Sequence, residues 1–145
     1  MPCEKNVTVK LNSVIENLDA DGLSGNDVEK DALEACGSLR KENGKISFSY
    51  EENREGGRIL CRVDETDSGL RITRSGAVEC EMIFEKGKLS RGLYKVGPFS
   101  FDMEIKTQRL ENSVTENGGE VNLIYEMTVG GAKKHCRMKI TILPK

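Results

Sequence analysis

The chain has 145 residues, of which 37% are hydrophobic and 32% charged, and its formal net charge is −2. That length suits one globular domain, residues 1–145, able to bury a core without covalent staples, and that balance excludes a disordered chain. The small net charge offers no bulk attraction to nucleic acid or to a membrane surface, so neither is expected as a partner.

Near the N-terminus Val7, Val9 and Leu11 alternate with Thr8 and Lys10, which sends successive side chains to opposite faces of a strand. No apolar run there is long enough for a signal peptide or a membrane span. Asp19, Asp21, Asn26 and Asp27 follow in an acidic stretch; Gly22 falls too early for an EF-hand, and a solvated loop is expected. Residues 28–41 admit two readings. Val28, Ala32, Leu33, Ala35, Cys36 and Leu39 suit an amphipathic helix, whereas a two-residue turn at Asn43-Gly44 sets Leu39 opposite Phe48, Gly37 opposite Tyr50 and Ala35 opposite Glu52. An aromatic ring laid over a strand glycine is a recurrent sheet device, so the strand is preferred, with Cys36 on the outer face.

Alternation continues through Ile46, Phe48 and Tyr50, through Ile59, Cys61 and Val63, and through Val78, Cys80, Met82 and Phe84. Turn signals separate these runs at Gly56-Gly57, Asp67-Ser68-Gly69 and Lys86-Gly87. Phe99, Phe101, Met103 and Ile105 come next, then Val121, Leu123, Tyr125, Met127 and Val129. Both of these strands carry apolar residues at odd positions, which a short hairpin through Asn117-Gly118-Gly119 permits only after a parity change. A β-bulge is therefore predicted near Arg109–Asn112. A two-residue turn at Gly130-Gly131 pairs Val129 with Ala132, Met127 with Lys134, Tyr125 with Cys136, Leu123 with Met138 and Val121 with Ile140. Only Lys134 breaks the apolar-to-apolar match.

No βαβ alternation is present, so the sheet is expected to be antiparallel. An open sheet this long would leave exposed edges and one uncovered apolar face; closure removes both. The expectation is an all-β fold, an antiparallel up-and-down barrel of about eight to ten strands, whose interior is either packed or holds one small ligand.

Ser49-Tyr50-Glu51-Glu52, Arg74-Ser75-Gly76-Ala77-Val78, the Phe84 to Gly87 turn, Tyr94 with Gly97-Pro98-Phe99, Lys106-Thr107 and Tyr125-Glu126-Met127 resemble, in order, the motifs of the YwiB-like family of small bacterial proteins. The resemblance runs from about Val7 to Ile142. It implies a lipocalin-like (calycin) barrel and carries no catalytic residues with it. Fold membership alone does not make a lipid carrier. The chain has no tryptophan for the Gly-x-Trp signature of secreted lipocalins, and the Arg-x-Tyr arrangement of fatty-acid-binding proteins is missing near its C-terminus.

Among residues with chemistry to offer, Arg74 stands out. It shares parity with Leu70, Ile72, Val78, Cys80 and Met82, and an Asp67-Ser68 turn places it opposite Cys61, facing inward. A buried guanidinium needs an acidic partner or an anionic ligand; Glu52 and Glu65 share the inward parity on neighbouring strands. Two roles follow, a structural ion pair at the rim or an anion anchor in a cavity. Arg74, Glu52, Tyr50 and Tyr125 form the candidate ligand site. Met82, Met103, Met127 and Met138 also face inward, as core filling or as a pliable lining.

Other clusters carry less. Lys133, His135, Arg137 and Lys139 make an outward stripe without an aromatic platform, and Glu126 stands opposite His135. With a single histidine and no convergent ligands, neither a nucleophile triad nor a metal site is expected. Five cysteines, odd in number and never closely spaced, argue for a reduced, cytoplasmic protein. No catalytic residue, metal or cofactor is expected. The two functional readings are a non-catalytic barrel binding a small, partly apolar or anionic molecule, and a protein–protein interaction or assembly module with a packed interior.

Overall fold

The computed structural model describes residues 3–18 and 24–145. Ten strands follow one another: β1 (Cys3–Leu18), β2 (Ser24–Glu42), β3 (Lys45–Arg54), β4 (Gly57–Glu65), β5 (Leu70–Gly76), β6 (Val78–Phe84), β7 (Leu89–Val96), β8 (Phe99–Asn112), β9 (Gly119–Val129) and β10 (Ala132–Pro144). Each pairs antiparallel with its sequence neighbours, and β1 pairs with β10, which closes an up-and-down barrel. Among the described residues no helix is long and apolar enough to cross a membrane. The acidic stretch around Asp19 and Asp21 lies outside the described residues.

The segment with two readings is a strand. Asn43 and Gly44 both take positive φ, 54° and 78°, the geometry of a two-residue hairpin turn that matches strand twist. The turn fixes Leu39 opposite Phe48 and Gly37 opposite Tyr50, as predicted. A Cβ on Gly37 would overlap the Ser49 carbonyl oxygen and stand 2.9 Å from Val9 Cγ2. Gly37→Ala is expected to destabilise the fold by about 1–3 kcal/mol, because backbone rather than a flexible side chain would have to yield; a denaturant midpoint equal to wild type would refute this close approach.

The expected pairing of Ala35 with Glu52 is not made. The β2–β3 ladder ends at Gly37–Tyr50, and β2 from Ser24 to Cys36 is paired with β1 alone. Beyond Tyr50, β3 stays with β4 through Arg54–Gly57. The barrel wall is thus unladdered along the outer half of this seam. A second short ladder joins β6 to β7, where only Val78–Cys80 pair with Tyr94–Val96.

The β9–β10 register is as predicted from Val129–Ala132 through Val121–Ile140. The bulge that reverses parity in β8 falls between Thr107 and Arg109, just before the predicted stretch. Met103, Ile105 and Thr107 are buried before it, and Leu110 is half-buried after it.

Inward alternation builds a single core: Val7, Val9, Leu11, Phe48, Val63, Ile72, Met82, Phe84, Ile105, Leu123, Tyr125, Ile140 and their neighbours are all buried. Phe99 and Phe101 depart from expectation, at 64% and 41% exposed. They lie on the inward face, but β8 pairs with β9 only from Met103 onward, so the end of the β7–β8 hairpin overhangs its neighbour and its inner face stays uncovered.

Candidate functional site

In an up-and-down barrel alternate connections gather at one end. Here these are the β3–β4, β5–β6, β7–β8 and β9–β10 connections. At this end the core stops short and leaves a cavity of about 480 Å³. Leu11, Met82, Tyr125, Cys136 and Met138 are buried and line its inner part; Ile15, Val78, Tyr94 and Met127 line the wall above. Charge enters this lining through Glu52, Arg54 and Asp31 near the open seam, Arg74 on β5 and Lys134 on β10, with the exposed Glu29, Lys30 and Arg137 at its edge.

Arg74 stands opposite Cys61 on one side and Cys80 on the other, in the predicted turn register; Thr66 N donates to Gly69 O at 2.9 Å across Asp67-Ser68. Its side chain is 20% exposed, and Nη2 lies 3.6 Å from Oε1 of Glu52, which is 1% exposed. Of the two acidic partners considered, Glu52 is the one used. Glu65 sits toward the opposite end of β4, where it accepts a hydrogen bond from Ile46 N at 3.1 Å. Arg54 donates to Glu52 Oε2 from Nε at 3.3 Å and to both Asp31 oxygens from Nη1 and Nη2, at 3.0 and 2.6 Å. The result is a chain of alternating charge, Asp31–Arg54–Glu52–Arg74, that bridges the unladdered β2–β3 seam.

This chain is unevenly satisfied. Arg54 is well held, and its bond to Asp31 keeps that carboxyl below its ordinary range. None of the Arg74 N–H groups donates a hydrogen bond to a described residue; Nε is buried without a partner, as is Glu52 Oε1. Burial opposes the charge on Arg74, the Glu52 carboxylate is the largest influence favouring it, and the net direction is upward. The guanidinium therefore stays charged. Burial, the largest influence, pushes the Cys61 and Cys136 thiols up to about 11 and the Cys80 thiol in the same direction, so these thiols stay protonated near neutrality and are poor nucleophiles.

Of the four residues expected at the site, the structure brings Arg74, Glu52 and Tyr125 to the cavity. Tyr50 is not among the lining residues. It is 3% exposed and stands opposite Gly37 on β2 and Cys61 on β4. Arg54 and Asp31 were missed, although each continues the inward parity of its strand beyond the last apolar residue. On the outer face His135 stands opposite Glu126, and Lys139 pairs with Glu120 at 3.0 Å. Among the described residues no group of three or more His, Cys, Asp or Glu side chains could hold a metal ion.

Known proteins share this architecture. The chain is 26% identical over 142 residues to the uncharacterised β-barrel protein YwiB of Bacillus subtilis (strain 168), covering 97% of this chain and 95% of that protein. The crystal structure of YwiB from Bacillus subtilis superposes with a TM-score of 0.83 at 25% identity, covering 98% of this chain and 93% of that one. Residues 17–142 match the domain of unknown function DUF1934, and the chain belongs to that family.

Proposed function

We propose that the chain is a non-catalytic, lipocalin-like binding protein of the cytoplasm whose cavity takes a small, partly apolar molecule, held through an anionic group by Arg74. One observation carries this reading. A charged guanidinium lines a cavity of about 480 Å³ with no hydrogen bond to a described residue and its nearest carboxylate 3.6 Å away. The cavity has the size of a small-molecule site, and its lining joins apolar side chains on β6, β9 and β10 to charged ones on β2, β3 and β5. The same cavity weighs against an assembly module with a filled interior. All four cysteines whose state is described are free thiols, which suits a reducing compartment.

Anilinonaphthalene sulfonate, an apolar probe with one anionic group, tests the reading. It is expected to bind the folded protein, and the variant Arg74→Met/Glu52→Gln is expected to weaken binding about tenfold or more, since a charge-assisted contact in a dry site is lost. Fluorescence titration, with circular dichroism to show that the variant is folded, checks this. Equal binding by both proteins would sink it.

A further inference from the structure

Lys134 is the one residue that breaks the apolar match across the β9–β10 hairpin. It shares parity with Cys136 and Met138, is half-buried and lines the cavity. It is next but one to Cys136 on the inward face of β10, whose thiol is buried. Lys134 makes no ion pair with Glu29, Asp31 or Glu52, the carboxylates that share the cavity. Glu29 lies on the exposed rim, and Asp31 and Glu52 are engaged by the two arginines.

In the ring of strands β5 and β10 are diametrically placed, so Arg74 and Lys134 face the cavity from opposite walls. Along the β6–β9 side the lining between them is apolar, with Met82, Tyr125 and Met127, whereas Glu29, Lys30, Asp31, Glu52 and Arg54 line the β2–β3 side. Lys30 and Arg137 also border the cavity but are exposed; Arg74 and Lys134 are the two less exposed cations with donor capacity to spare, and they are complementary to a molecule of the reverse pattern. Building on the cavity as a ligand site, we propose that it selects an elongated apolar molecule carrying an anionic acceptor at each end, one on Arg74 and the other on Lys134. A single anionic group would leave one of the two cations without an acceptor in a site partly withdrawn from water, which is unfavourable.

Decanedioate and its monomethyl ester separate this proposal from a one-anchor site, because they match in length and differ by one charge. Isothermal titration of the intact protein is expected to show decanedioate binding about tenfold more tightly than the monoester. Lys134→Met is expected to bring decanedioate down to the monoester's affinity and to leave the monoester unchanged. Equal affinities for the two ligands, indifference to Lys134→Met, or no binding of either would overturn it. If anilinonaphthalene sulfonate still binds in an Arg74-dependent way, those results remove the second anchor alone; if it does not, the cavity reading falls as well.

Discussion

Arg74→Met is expected to cost about 2–4 kcal/mol of folding stability, because it strands most of a carboxylate that water cannot reach. Glu52 is 1% exposed, and without Arg74 only Arg54 Nε, at 3.3 Å from Oε2, remains to hold it. Removing the second charge as well reverses most of the loss: Arg74→Met/Glu52→Gln is expected within about 1 kcal/mol of wild type, since the cost lies in an uncompensated ion and not in the missing contact. Arg54 keeps its two bonds to Asp31 in that variant. Urea denaturation of wild type, both single variants and the double variant closes a thermodynamic cycle. A double variant as unstable as Arg74→Met would show that the two groups are not energetically paired.

Phe84→Ala is expected to cost about 3–5 kcal/mol, the range for emptying a fully buried aromatic site. Phe84 has no exposed surface, and its ring meets Tyr125 edge-on, centroids 4.9 Å apart at 69°. The edge-to-face contact accounts for about 0.5–1.5 kcal/mol of the loss and the void for the rest. Phe84→Leu keeps most of the volume and is expected to cost about 1.5 kcal/mol or less. Tyr125 also lines the cavity, so Phe84 supports the floor from below. Chemical denaturation measures both variants; a loss under about 1 kcal/mol for Phe84→Ala would mean that this part of the barrel is not close-packed.

Much of this architecture is legible because a strand reports its two faces through alternate residues. The register through Gly130-Gly131 followed from matching apolar positions, and so did the placement of Arg74 opposite Cys61. The bulge in β8 was visible as a parity conflict before its place between Thr107 and Arg109 was known. What alternation does not report is where a strand loses its neighbour. Phe99 and Phe101 have core-like parity but overhang the ladder, and Ala35 has a partner by count but not in space. The site was legible in the same partial way. Arg74 and Glu52 were visible as charges at apolar positions, whereas Tyr50 shares that parity and is outside the lining, and which inward residues border a void is not written in parity. Asp31 and Arg54 sit on strand ends that outrun their apolar neighbours, where nothing in the pattern separates an inward charge from a solvated one.

The incomplete ladder between β2 and β3 has a mechanical consequence. A cylinder of continuous backbone hydrogen bonds resists changes in girth, because widening it anywhere breaks several bonds together. Where the β2 edge is spanned by the side-chain pair Asp31–Arg54 and not by main-chain bonds, the rim can widen or narrow by rotating those two side chains. The rim can therefore change girth in this sector, beside the buried carboxylate, at the cost of side-chain contacts alone.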